Sequence, residues 1–193
     1  MRSLPSRIDP QDSIVLFADL QSGIVELTRT ISLDRLQKGV LTLSRLTRLF
    51  EMPVIVTGVR GRDGGEARMI PQIAEGAGDL PIHYRTTCDS FLNDGIVSTI
   101  QNTGRKTILI SGVATELAVQ LPALTGSGQG FGVFVVVDAC GGMSERTEQA
   151  AFLRMGQAGV ATVSVMTLAG ELAGDFREPR AQQAIGILYE MAG

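Results

Sequence analysis

The sequence predicts an α/β protein: a three-layer α/β/α sandwich around a six-stranded, mostly parallel, doubly wound sheet. Two patterns carry that expectation. Short apolar, β-branched runs recur at residues 13–20, 53–59, 106–113, 131–138 and 160–166, without the in-out alternation of a half-exposed strand. Longer stretches with helical spacing lie between them, and this alternation suits parallel strands covered on both faces. Hydrophobic residues make up 44% of the 193 and charged residues 19%, an ordinary balance for one well-buried domain spanning 1–193.

Each element has its own local reason. SIVLFADL at 13–20 reads as a buried strand ending on Asp19. Residues 34–50 place Leu36, Val40, Leu43 and Leu46 on one helical face, with Asp34 in the first turn favouring the dipole. Pro53 opens the second strand, where a missing N–H is tolerated. Residues 60–67 are rich in glycine and charge and read as a loop before a short helix at 69–75. A weaker extended segment, 80–85, delivers Arg85 at its end. A helix over 91–103 closes at Gly104. KTILISGV is a strong strand, followed by a helix over 115–124 with Thr115 as N-cap, broken at 126–132. After the strand 131–138, with Asp138 expected to cap or to bond the following loop, comes a helix over 144–158 opening on Ser144. The strand 160–166 and terminal helices over 167–176 and 180–191 complete the chain.

Composition narrows the chemistry. A formal charge of −3 offers no footprint for nucleic acid or an anionic membrane. No apolar run approaches the roughly 18 to 20 residues that span a bilayer. The N-terminus has no apolar signal core, so a cytoplasmic protein is expected. His83 is the only histidine, and Cys88 and Cys140 are the only cysteines, so a multi-histidine or CxxC-type metal site is not expected. Lysine is restricted to Lys38 and Lys106, which leaves few candidates for a catalytic cation.

In a doubly wound sheet ligands sit beyond the carboxyl ends of the strands. GVATELAV at 112–119, Asp19-Leu20-Gln21 after the first strand, and Arg85 in HYRTTCDSF all fall there. These three motifs, in the chain order Asp19-Leu20-Gln21, Arg85 and GVATELAV, resemble the isochorismatase-like cysteine hydrolase superfamily. VVVDA, RMGQAGV and the stretch from Leu27 to Thr57 are similar to its YcaC-like branch, and the likeness runs from about residue 12 to 176. The family turn reads G-V-x-T-[DE]-x-C-V, and here Ala118 stands at the cysteine.

The resemblance implies hydrolysis of a small amide-like C–N bond. Asp19 would be the general base and acid, Arg85 its electrostatic partner, and position 118 the nucleophile. It also implies a cis bond at Val113–Ala114, with Ala114 as an oxyanion donor. No cofactor is implied, and relatives are commonly homo-oligomers, for which the apolar C-terminal segment is a candidate docking helix. A nicotinamidase-type metal site would need histidines after the second strand that this chain lacks.

Alanine has neither lone pair nor proton, so Ala118 forms no thioester-type intermediate. Three readings stay open: an engineered Cys→Ala change, a cysteine-independent isochorismatase-type vinyl-ether hydrolase, or a non-catalytic member with a binding or assembly role. Gln21, Thr115, Cys88 and His83 are pocket candidates, with packing or capping as the alternative for the first three and a surface or interface role for His83. For Cys88 that alternative is a small buried or half-buried residue. Cys140 reads as packing, Glu116 as a first-turn acid, and the segments 60–67 and 86–93 as the pocket's walls.

Overall fold

The computed structural model describes residues 7–192. Six strands, all parallel, lie in the order β3-β2-β1-β4-β5-β6: β1 Ser13–Ala18, β2 Val54–Gly58, β3 Ile82–Tyr84, β4 Thr107–Val113, β5 Gly132–Gly141 and β6 Ala161–Val163. The order reverses between β1 and β4, and such a switch point opens a crevice at the carboxyl ends of the two strands.

Successive strand residues feed opposite cores. Val15 and Phe17 of β1, Val56 and Leu109 point into one core with α1 (Leu33–Leu49), α2 (Pro71–Ala77), α6 (Val165–Ala173) and α7 (Pro179–Ala192). Ile14, Leu16, Ile55, Ile108 and Ile110 point into the other, with α3 (Asp94–Asn102), α4 (Gln120–Gly128) and α5 (Glu145–Gln157). Strands buried on both faces have no polar side to show, which explains their continuous apolar runs.

Several boundaries differ from expectation for local reasons. The helix expected over 91–103 begins at Asp94, because Asn93 Oδ1 accepts from the N–H groups of Gly95 and Ile96 and caps it there. The 126–132 break starts later, since α4 continues to Gly128; a side chain at Gly126 would lie 3.1 Å from the Phe91 ring, so a glycine suits that contact. The last strand stops at Val163, and Ser164 caps α6 by accepting from Thr167 N–H. Asp138 caps a helix, as one of its two expected roles: its Oδ1 accepts from the first N–H of α6, on Val165, at 2.8 Å. Ser144 caps α5 as expected.

At the switch point β1 and β4 approach closely. A Cβ on Gly112 would stand 2.3 Å from the carbonyl oxygen of Ala18, a backbone atom with nowhere to go. Gly112→Ala is therefore expected to destabilise the fold by about 1–3 kcal/mol, the usual range for overpacking. Urea denaturation, read as a lower midpoint at unchanged slope, checks this.

Candidate active site

Asp19 leaves β1 with a φ of 54°, a left-handed conformation that aspartate tolerates better than most residues. Its N–H still bonds the carbonyl of Thr57 on β2, so the side chain is placed by the sheet. Arg85 follows β3, its N–H paired to Gly58 at 3.1 Å as a one-residue extension of the ladder. From there the guanidinium reaches past the end of β2 to Asp19, where Nη2 donates to Oδ2 in a buried ion pair. Nη1 donates to the carbonyl of Thr87. Asp19 Oδ1 and Arg85 Nε, both buried, have no partner among the described residues.

Two forces act on the Asp19 carboxyl. Burial pushes its pKa up and the neighbouring guanidinium pulls it down, and burial wins, leaving it at about 6. Such a group changes protonation state just below neutrality.

The other wall of the switch-point crevice follows β4. The peptide bond Val113–Ala114 is cis, and the chain enters a wide π-type turn, Thr115–Val119, before α4. Val113, Ala114 and Ala118 are all buried. Thr115 does not cap this helix: Ala114 occupies the N-cap position with no side-chain bond, and Thr115 Oγ1 instead donates to Glu148 Oε1 at 2.7 Å. Glu116 is more than a first-turn acid. Its Oε1 accepts from Met143 N–H and from the Thr147 hydroxyl, tying the turn to the start of α5.

Beside Arg85 opens a cleft of about 450 Å³, lined by Val59, Arg60, Tyr84, Arg85, Thr86, Thr87 and Cys88. Both expected walls thus contribute. Tyr84 takes the place expected for His83, which is half-buried on β3 and not among the lining residues. Gln21 is committed elsewhere: its amide both donates to and accepts from Val59, at 3.0 Å each, clamping the ends of β1 and β2 together. Cys88 is exposed rather than packed. Cys140 is buried, and burial pushes its thiol far up, so it stays protonated. A larger cavity, about 640 Å³, opens where Asp34, Lys38, Asp138 and Phe152 meet; Arg85 lines only the smaller cleft, and Asp19, Ala114 and Ala118 line neither.

Sequence reasoning missed Glu148, Tyr84 and Asp89. Asp89 Oδ1 accepts from Phe91 N–H and Oδ2 from the Thr125 hydroxyl, anchoring the loop after Arg85. The Asp-x-Phe spacing of such a turn was its only local signal; Glu148 acts from a distant helix and had none.

An isochorismatase domain model matches residues 13–167. The chain belongs to the isochorismatase family. It is 35% identical to the probable hydrolase YcaC of Escherichia coli K12 over 172 residues, 89% of this chain and 82% of that protein. YcaC of Pseudomonas aeruginosa, solved with hexane-2,5-diol and covalent acrylamide, superposes with a TM-score of 0.88 at 31% identity, covering 97% of this chain and 94% of that one. The crystal structure of E. coli YcaC, an octameric hydrolase of unknown specificity, superposes at 0.85 and 34% identity, covering 97% and 89%. This chain is thus an isochorismatase-family, YcaC-like hydrolase relative.

Replacing Arg85 by methionine removes the one influence that lowers the Asp19 pKa through charge and leaves the burial. The Asp19 carboxyl is expected to titrate above 6 in Arg85→Met, followed by the pH dependence of its ¹³C shift.

Proposed function

We propose that the site hydrolyses a small amide-like C–N bond, with Asp19 as general base and then general acid. Arg85 keeps the carboxyl oriented and charged, and the backbone around Ala114 faces the developing oxyanion. The observation that carries this reading is the buried Asp19 carboxyl with a pKa of about 6, ion-paired to Arg85, which itself lines an open cleft. A proton carrier works best when its pKa lies near the working pH. The acrylamide on the Pseudomonas relative is itself a small primary amide, and a molecule of that size fits a 450 Å³ cleft.

Ala118 takes covalent catalysis at position 118 out of the scheme. That same alanine favours a second reading, in which protonated Asp19 donates to a vinyl ether without any thiol. The two differ in the sign of their pH dependence. A general base must be ionised, so amide turnover rises as pH climbs through about 6 and levels off above it. An acid must be protonated, so vinyl-ether turnover falls over the same interval.

Measuring kcat/KM against pH on small amides and on isochorismate decides between them. In either case Asp19→Asn is expected to cost about 10²- to 10⁴-fold in turnover, the range for losing a general acid or base. Unchanged rates in that variant, or silence towards both substrate classes, would leave the binding role instead.

Self-association belongs to the same proposal, supported by the octameric E. coli relative. Light scattering on a sizing column is expected to give a mass several times the 20.5 kDa of one chain. Elution as a monomer would count against it.

A further inference from the structure

We propose that the cleft beside Arg85 is a subsite for a carboxylate on the substrate, and that Arg60 is the residue that binds it. The inference rests on the hydrolase reading above and deepens it by naming the substrate class: a small amide that also carries an acid group. Three observations carry it.

The first is the sign of the cleft. Arg60 and Arg85 line it, and no acidic side chain among the described residues does. The larger cavity is mixed, with Asp34, Asp138 and Glu148 set against Arg35 and Lys38. The formal charge of the whole chain is −3, so the lining of the cleft runs against the overall balance. A cleft lined by one sign of charge concentrates ligands of the other.

The second is that one of these two charges is unspent. Asp19 neutralises Arg85, whereas Arg60 has no carboxylate at ion-pair distance among the described residues. Asp63, the acid nearest to it in sequence, turns Oδ1 to the N–H of Gly65 at 2.9 Å.

The third is the way Arg60 is presented. Its guanidinium sits over the Tyr84 ring, 4.1 Å from the centroid. Tyr84 is fixed at both ends: its hydroxyl oxygen accepts from Ala67 N–H at 3.1 Å, and its carbonyl accepts from Asn93 Nδ2 at 3.2 Å. A guanidinium held over a ring keeps the N–H donors of its edge for a ligand, in the fork that a carboxylate accepts with both oxygens. The bond that edge makes to the protein, from Nη1 to the Gly64 carbonyl, is 3.4 Å, longer than a good N–H···O bond.

The test uses malonamate, succinamate and glutaramate, each beside the methyl ketone that replaces its carboxylate. Arg85 belongs both to the cleft and to the ion pair, and the three chain lengths sample the span from Arg60 to the Asp19 carboxyl. Binding to the full-length chain is measured by calorimetry, and turnover by ammonia release. At least one amido acid is expected to bind about tenfold or more tightly than its ketone, the reach of a forked charge-assisted contact. That preference is expected to weaken with added salt, to disappear in Arg60→Met, and to survive in part in Arg60→Lys, which keeps the charge without the fork. No preference for the acids in the native chain, or a preference unchanged in Arg60→Met, overturns the proposal. Neutral amides hydrolysed as fast as the acids also overturn it and leave the hydrolase reading intact. Arg60-dependent binding of the acids without ammonia release from any amide upholds the subsite and removes the amide class.

Discussion

The ion pair between Asp19 and Arg85 is the constraint on which the site's geometry depends. It joins the ends of β1 and β3 across the strand between them, and both partners are almost wholly buried. Through Nη1 it also sets the path of the loop that walls the cleft. Such a pair is a poor stabilising device, because desolvation consumes most of what the attraction returns, and apolar replacements of buried pairs are often neutral or better. Its effect here is on protonation. Burial alone would drive the Asp19 carboxyl well up, the guanidinium pulls it back, and the balance near 6 is one that neither influence reaches by itself.

Fold and site were legible in the sequence to different depths, and the particular residues explain why. The strands announced themselves because burial on both faces leaves nothing but apolar side chains. Asp19 and Arg85 stood out as charges at the ends of such strands. What escaped was set by partners distant in the chain. Thr115 looks like an N-cap until Glu148, 33 residues on, takes its hydroxyl. Gln21 looks available for substrate until Val59, 38 residues on, engages both ends of its amide. Asp89 is anchored by Thr125, 36 residues on, which no local pattern records.

Ala118 separates architecture from chemistry. The turn that carries it is held by Thr115, Glu116 and the start of α5, all through groups other than the side chain at 118. Removing a sulfur from that position takes no hydrogen bond out of this framework. The crevice at the switch point therefore keeps its shape whether or not a thiol stands at its centre. Family membership, which follows the framework, says little about which atom attacks.

The two unpaired atoms of the ion pair bear on that question. Asp19 Oδ1 and Arg85 Nε are a buried acceptor and a buried donor without partners among the described residues. Each unsatisfied buried polar atom costs about 1–3 kcal/mol. A ligand that presents a donor and an acceptor, as an amide does, relieves both costs on binding, whereas an apolar ligand relieves neither. In the proposed hydrolysis, recognition and chemistry then draw on the same two residues. On that reading the buried pair favours a group that can both give and take a hydrogen bond, and the carboxyl that helps select it is also the one proposed to move the proton.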